Sequence, residues 1–155
     1  MKLQIKKLLI ALAIPLAVGG LGALLSGGFS DYAQLNQPPL APPGWLFPIV
    51  WTVLYLLMGY ASYRVWVGDG SQEDKRKALI AYAVQLFLNL LWPILFFRFE
   101  LRLSAFFLLI LLWIAIFITV RLFSKLDERA GDLLLPYLLW VTFAGYLNLG
   151  VYLLN

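Results

Sequence analysis

Five stretches of this chain carry no charged residue at all: 8–30, 32–63, 78–97, 103–120 and 133–155. Each reaches or nears the roughly 20 apolar residues that a helix needs to cross the hydrocarbon core of a bilayer. With 63% hydrophobic and 13% charged residues in 155, the chain has too little polar surface to cover a soluble domain of this size. The bilayer is therefore its solvent, and the expected fold is an all-α bundle of five transmembrane helices at about 5–26, 44–67, 77–98, 102–123 and 132–154. The second uncharged stretch exceeds one span, but four prolines between Leu35 and Gly44 forbid regular helix there, so residues 27–43 are expected to be a loop. Lys2, Lys6 and Lys7 ahead of an apolar run with Ala11, Leu12 and Ala13 resemble the start of a secretory signal peptide. Because the uncharged run continues to Ser30 and no soluble mature domain follows, the first segment reads as an anchor that stays.

Orientation follows from the basic residues, which concentrate on the cytoplasmic side. Lys2, Lys6 and Lys7, then Arg64, Lys75, Arg76 and Lys77, then Arg121, Lys125 and Arg129 fall on one side, against Arg98 and Arg102 on the other. The N-terminus is expected inside and the C-terminus outside, in a multi-pass protein of the cell membrane. The net charge of +4 is then a topology signal, and no nucleic-acid partner is expected.

Absent residues narrow the chemistry. With no Cys and no His, the chain has no disulfide, no Cys/His zinc site, no His- or thiolate-ligated haem and no His-based triad. No metal, cofactor or catalytic residue is expected. Asp, Glu, Lys and Arg are missing from the middle of every span, which argues against proton- or cation-coupled transport.

Amide and aromatic side chains remain, and their spacing orders them. Gln85, Asn89 and Trp92 stand at i, i+4 and i+7 on the third span. Trp51, Tyr55, Met58 and Ser62 share a face of the second, and Tyr137, Trp140, Ala144 and Asn148 a face of the fifth. Polar groups in hydrocarbon turn toward the protein interior, so these faces should meet, in the outer half of the membrane. Taken singly, buried amides serve as interhelical glue and Trp or Tyr as interfacial belts, as Trp45 and Trp66 do; Trp113 belongs to lipid or packing. Taken together, the three faces point to a site. Pro93 cannot bond the carbonyl of Asn89, so a kink is expected there and another at Pro15. Gly19, Ala23 and Gly27 form a small-residue stripe suited to packing within the bundle or to a dimer contact.

Three motifs then carry a resemblance. Pro42-Pro43-Gly44-Trp45-Leu46-Phe47-Pro48-Ile49-Val50-Trp51 with Tyr55, Met58 and Gly59 is the first; Gln85 to Trp92 with Asn89 is the second. Pro136-Tyr137-Leu138-Leu139-Trp140 with Phe143, Ala144, Leu147 and Asn148 is the third. In this order they resemble the TspO/translocator protein family, also called tryptophan-rich sensory proteins or peripheral-type benzodiazepine receptors. The resemblance implies a five-helix bundle, often a homodimer, with a pocket under the first loop. It implies ligands such as protoporphyrin IX and related tetrapyrroles, sterols and benzodiazepine-type compounds. Carried over by position, Trp51, Asn89, Trp92, Trp140, Phe143, Ala144 and Asn148 match the family's pocket, with Pro42, Pro43 and Gly44 in the lid; the spacing adds Tyr55, Gln85 and Tyr137. The implied role is a membrane receptor or sensor linked to tetrapyrrole handling or stress response. The alternatives are light- and oxygen-dependent porphyrin degradation, or porphyrin and sterol transport.

The chain departs from the family's pattern in three places. Leu40 stands where Trp is usual, and Asp31-Tyr32 replaces a Trp-Tyr pair. Tyr152 is followed by Leu153, Leu154 and Asn155 with no basic residue, so the C-terminal sterol motif is incomplete; Leu57, Tyr60 and Arg64 satisfy only the loose sterol pattern. Pro93 follows Trp92 where a small polar residue is usual. Without His or Cys, a metal-free porphyrin suits the chain better than haem.

Overall fold

The computed structural model describes residues 3–28 and 30–155; Lys2 and the side chain of Asp31 lie outside the described part. It is all-helical, and five of its helical segments are long and apolar enough to cross a membrane. In chain order these are α1 (Ile5–Leu25), α2 (Leu46–Val67), α3 (Gln72–Pro93), α4 (Arg102–Leu126) and a fifth span made of short α5 (Glu128–Leu133) and α6 (Leu135–Leu154). A single 3-10 turn, Ser30–Gln34, lies in the long connection between α1 and α2.

The boundaries have local causes. Ser71 caps α3 by accepting from the Asp74 N–H at 3.2 Å, and Glu73 and Asp74 in the first turn favour the helix N-terminus electrostatically. The helix thus starts more than a turn ahead of the apolar run, at Gln72 rather than 77, because water can cover its charged first turns. Pro93 ends regular α geometry, yet the chain does not simply kink: it continues as a π-helical turn, Ile94–Arg98, closed by Phe99 N–H on the Ile94 carbonyl at 3.1 Å. α1 runs unbroken through Pro15. Near the start of the fifth span, Asp127 holds two partners at once. Its carboxylate accepts from the Arg129 N–H at 3.0 Å as the α5 cap and pairs with Arg64 of α2 at 2.8 Å. The break at Leu134 falls just before Pro136, which can occupy only the first turn of α6.

Because the spans are apolar on all sides, hydrophobicity alone cannot choose their inward faces. Leu9, Val53, Phe87, Phe107, Leu111 and Leu139 are exposed on the outside, where lipid would cover them, while Met58, Ala61, Ala78, Ile116 and Phe123 are fully enclosed. Small residues set the close approaches. A Cβ on Gly59 of α2 would lie 2.7 Å from the Ala11 carbonyl oxygen and 2.8 Å from Leu12 Cα, both backbone atoms of α1. Trp113 hydrogen-bonds Thr142 Oγ1 at 2.9 Å and stacks on Phe117, which makes it a packing residue between α4 and α6.

Gly59→Ala should force α1 and α2 apart and lower stability by about 1–3 kcal/mol, the usual range for overpacking. Gly145→Ala, whose new Cβ would meet nothing within 4 Å, should not. Thermal unfolding midpoints of the two variants in one detergent check this.

Candidate functional site

α1, the first halves of α2 and α4, the end of α3 and α6 from Trp140 onward enclose a cavity of about 620 Å³ beneath the α1–α2 connection. This lies within the range of small-molecule and cofactor sites. Trp51 and Tyr55 come from α2, Asn89 and Trp92 from α3, and Trp140, Ala144 and Asn148 from α6. These seven of the expected residues share one lining. Gly44 joins them from the connection, whereas Pro42 and Pro43 stand off the wall.

Gln85, Tyr137 and Phe143 are placed elsewhere. Gln85 and Tyr137 are each 1% exposed and sit behind the lining, inside the packed half of the bundle. Phe143 backs Trp140, with ring centroids 5.6 Å apart. Several lining residues were not among the expected site residues: Leu16, Gly19, Gly22 and Ala23 of α1, Phe47 of α2, and Phe96 and Phe97 of the π turn. Only the spacing of Gly19 and Ala23 offered a signal. Gly19 lies under Tyr55, where a Cβ would come within 2.9 Å of three of its ring carbons.

The amides are committed to tyrosine hydroxyls, an indole N–H and a backbone carbonyl. Tyr55 donates its hydroxyl hydrogen to Asn89 Oδ1 at 2.8 Å, and Asn89 Nδ2 donates to the Tyr137 oxygen at 2.8 Å. Tyr137 in turn donates to Gln85 Oε1 at 2.6 Å, so one chain of hydrogen bonds joins the second, third and fifth spans. A second relay runs from Trp92 Nε1 to Asn148 Oδ1 at 2.9 Å and from Asn148 Nδ2 to the Arg102 carbonyl at 2.8 Å, joining α3, α6 and α4. Where no water competes, each link avoids the cost of an unpaired buried polar group.

Aromatic rings make most of the remaining wall. Trp51 stacks on Tyr55 with centroids 5.6 Å apart and meets Trp140 edge-on at 6.5 Å. Phe47 bridges Trp140 and Tyr32 by edge contacts at 5.9 and 5.1 Å. Two buried donors in this wall have no hydrogen-bond partner among the described residues, Trp140 Nε1 and the Tyr32 hydroxyl. Burial pushes the Tyr32 phenol above its ordinary value, which keeps it protonated as a donor. Among the described residues, no Asp, Glu, Lys or Arg lines the cavity, and no cluster of His, Cys, Asp or Glu suited to a metal ion occurs. The arrangement can hold a flat, largely apolar molecule and offer it hydrogen bonds. It offers no general acid or base beyond phenols.

Comparison with known proteins agrees with this architecture: the model of the TspO/MBR family matches residues 11–154. The chain belongs to the TspO/MBR family. It is similar to the tryptophan-rich protein TspO of Chlorobaculum tepidum, with 37% identity covering 100% of this chain and 99% of the relative. It is also similar to protein CrtK of Rhodobacter capsulatus, at 39% identity over 88% of this chain and 85% of the relative. The translocator protein of Bos taurus is 38% identical over 87% of this chain and 82% of its own length. Like other chains with five apolar spans, this TspO/MBR member is a multi-pass membrane protein.

Tyr137→Phe should strand two buried amide groups, Asn89 Nδ2 and Gln85 Oε1, whereas Tyr55→Phe strands only Asn89 Oδ1. The first should cost more stability, each unpaired group contributing about 1–3 kcal/mol. Detergent unfolding of both variants and of the double variant reads the ranking and the coupling.

Proposed function

We propose that this chain is a membrane receptor that binds protoporphyrin IX or a similar tetrapyrrole in the aromatic cavity, in tetrapyrrole handling or stress response, without turning it over. One observation carries the proposal. A cavity of about 620 Å³, with no charged side chain in its lining among the described residues, is walled by Trp51, Trp92 and Trp140, and one of these indoles has an unpaired buried N–H. A planar macrocycle can lie against the indole faces, and a carboxylate oxygen on its rim can accept from Trp140 Nε1. Any propionates belong at the wet end under the connection, near Arg98 and Arg102.

A further point supports the same placement. Lys6, Lys7, Arg64, Lys75, Arg76, Lys77, Arg121, Lys125 and Arg129 all lie toward the end opposite the cavity, so the positive-inside rule puts the cavity end outside. Sterol is the weaker ligand, because the Arg64 of the loose sterol pattern is already paired with Asp127 at 2.8 Å.

Titration of the detergent-purified protein with protoporphyrin IX, followed by tryptophan quenching in the dark and then under light, tests the proposal. Saturable quenching is expected, with pigment absorbance that stays constant on illumination. Trp140→Phe should weaken binding roughly two- to tenfold, the loss of one hydrogen bond with the ring retained. Failure to saturate would overturn the ligand assignment. Protein-dependent bleaching would overturn the absence of turnover and move attention to Trp51 and Trp140 as electron donors.

A further inference from the structure

At the end of the bundle opposite the cavity, a groove of about 380 Å³ runs between α2 and the fifth span. Its walls are two helix faces. Leu57, Tyr60 and Arg64 stand at i, i+3 and i+7 on α2, and Arg129, Asp132, Leu133 and Pro136 at i, i+3, i+4 and i+7 along α5 and the first turn of α6. The residues between them turn the other way: Met58, Ala61 and Val65 of α2, and Ala130 and Leu134 of the fifth span, are at most 1% exposed. Gly131 lets α5 close on Ser124 of α4, which leaves Arg129 and Asp132 on the outer side.

The chemistry changes along the groove. Leu57, Leu133 and Pro136 make an apolar trough, and Tyr60, Arg64, Arg129 and Asp132 make a polar rim. The seven residues from Leu57 to Arg64 rise about 10 Å along α2, so the groove reaches from headgroup level into the hydrocarbon. Arg64 is already committed, paired with Asp127 at 2.8 Å and donating to the Tyr60 hydroxyl at 3.3 Å. Arg129 and Asp132 are exposed, and neither side chain enters an ion pair or a hydrogen bond among the described residues. The rim thus offers a cation and an anion side by side, next to a trough that fits a hydrocarbon chain.

This pairing discriminates among membrane lipids. An anionic headgroup would meet Arg129 but also the Asp132 carboxylate, and a sterol hydroxyl would use neither charge. A choline headgroup carries a cation that cannot donate a hydrogen bond, whereas a primary ammonium can donate to a carboxylate while the adjoining phosphate takes the guanidinium. We propose that the groove binds a phospholipid with a primary-amine headgroup, phosphatidylethanolamine: an acyl chain lies along Leu57, Leu133 and Pro136, the phosphate pairs with Arg129, and the ammonium donates to Asp132. The groove shares no lining residue with the cavity, so this site stands or falls independently of the tetrapyrrole reading.

Native mass spectrometry of the detergent-purified protein, titrated with phosphatidylethanolamine, phosphatidylcholine and phosphatidylglycerol of identical acyl chains, tests the site. Phosphatidylethanolamine should be retained roughly two- to fivefold more strongly than phosphatidylcholine, the range of an exposed ion pair. Asp132→Asn should erase that preference, and Arg129→Gln should weaken retention of both lipids. Arg121→Gln, an exposed charge at the same end but outside the groove, should change neither. On the native protein alone, successive N-methylation of the ethanolamine headgroup should lower retention stepwise, which decides the matter if a variant fails to fold.

Equal retention of the two zwitterionic lipids, or a preference that survives in Asp132→Asn, would overturn the site. Stronger retention of phosphatidylglycerol would overturn the headgroup assignment in favour of an anionic lipid. Displacement of phosphatidylethanolamine by an equal concentration of cholesterol would overturn it in favour of a sterol.

Discussion

Hydrocarbon offers no partner to a polar side chain, and this constraint orders the rest of the molecule. A chain with apolar residues on every face of every span could pack in many rotations at similar cost. The relay from Tyr55 through Asn89 and Tyr137 to Gln85 removes that freedom. Rotating α3 by one residue would leave two amides and two hydroxyls without partners, a penalty of several kcal/mol against which lipid contact offers nothing. The relay therefore sets which face of α3 looks at α2 and α6. Trp51, Trp92 and Trp140 reach the cavity because they stand one turn above it on the same faces.

Seen this way, the amides and the cavity divide the work. Asn89 and Asn148 line the cavity, but both oxygens and both nitrogens are already engaged by neighbouring spans. They build a wall of fixed shape and leave recognition to the rings and to two unpaired donors, Trp140 Nε1 and the Tyr32 hydroxyl. A preorganised wall loses little entropy when a ligand binds. Glycine completes the shape from α1, for Gly19 lets the Tyr55 ring pack against the helix within reach of Asn89.

Much of this could be read before any coordinates, because the signals were chemical. Uncharged runs gave the spans, and the i, i+4 spacing of Gln85 with Asn89 and of Ala144 with Asn148 gave the inward faces. Spacing gives an angle around a helix but not a radial depth. Gln85 and Tyr137 thus share a face with the lining and yet sit behind it. The rest of the α1 wall was illegible for a different reason: Leu16 and Gly22 look the same whether lipid or ligand covers them. Phe96 and Phe97 reach the cavity only because the backbone changes from α to π geometry after Pro93, which rotates the following residues away from the 3.6-residue pattern. The Asn36–Asn155 pairing joins positions far apart in sequence, and neither residue has a local pattern that announces it.

The hydrogen bonds behind the cavity and those of the α1–α2 connection differ in what surrounds them, and that difference determines where the molecule can move. Links behind the cavity are sealed in low dielectric, where breaking one exposes a polar group to hydrocarbon. The bonds that join Asn36 and Pro39 of the connection to Asn155 and Tyr146 are exposed to water, which can replace each one as it breaks. Local opening should therefore be concentrated in the connection while the bundle stays closed. Proline at four of its positions limits the shapes that the connection can adopt. With its walls fixed by buried amides, the cavity keeps its shape whatever the connection above it does.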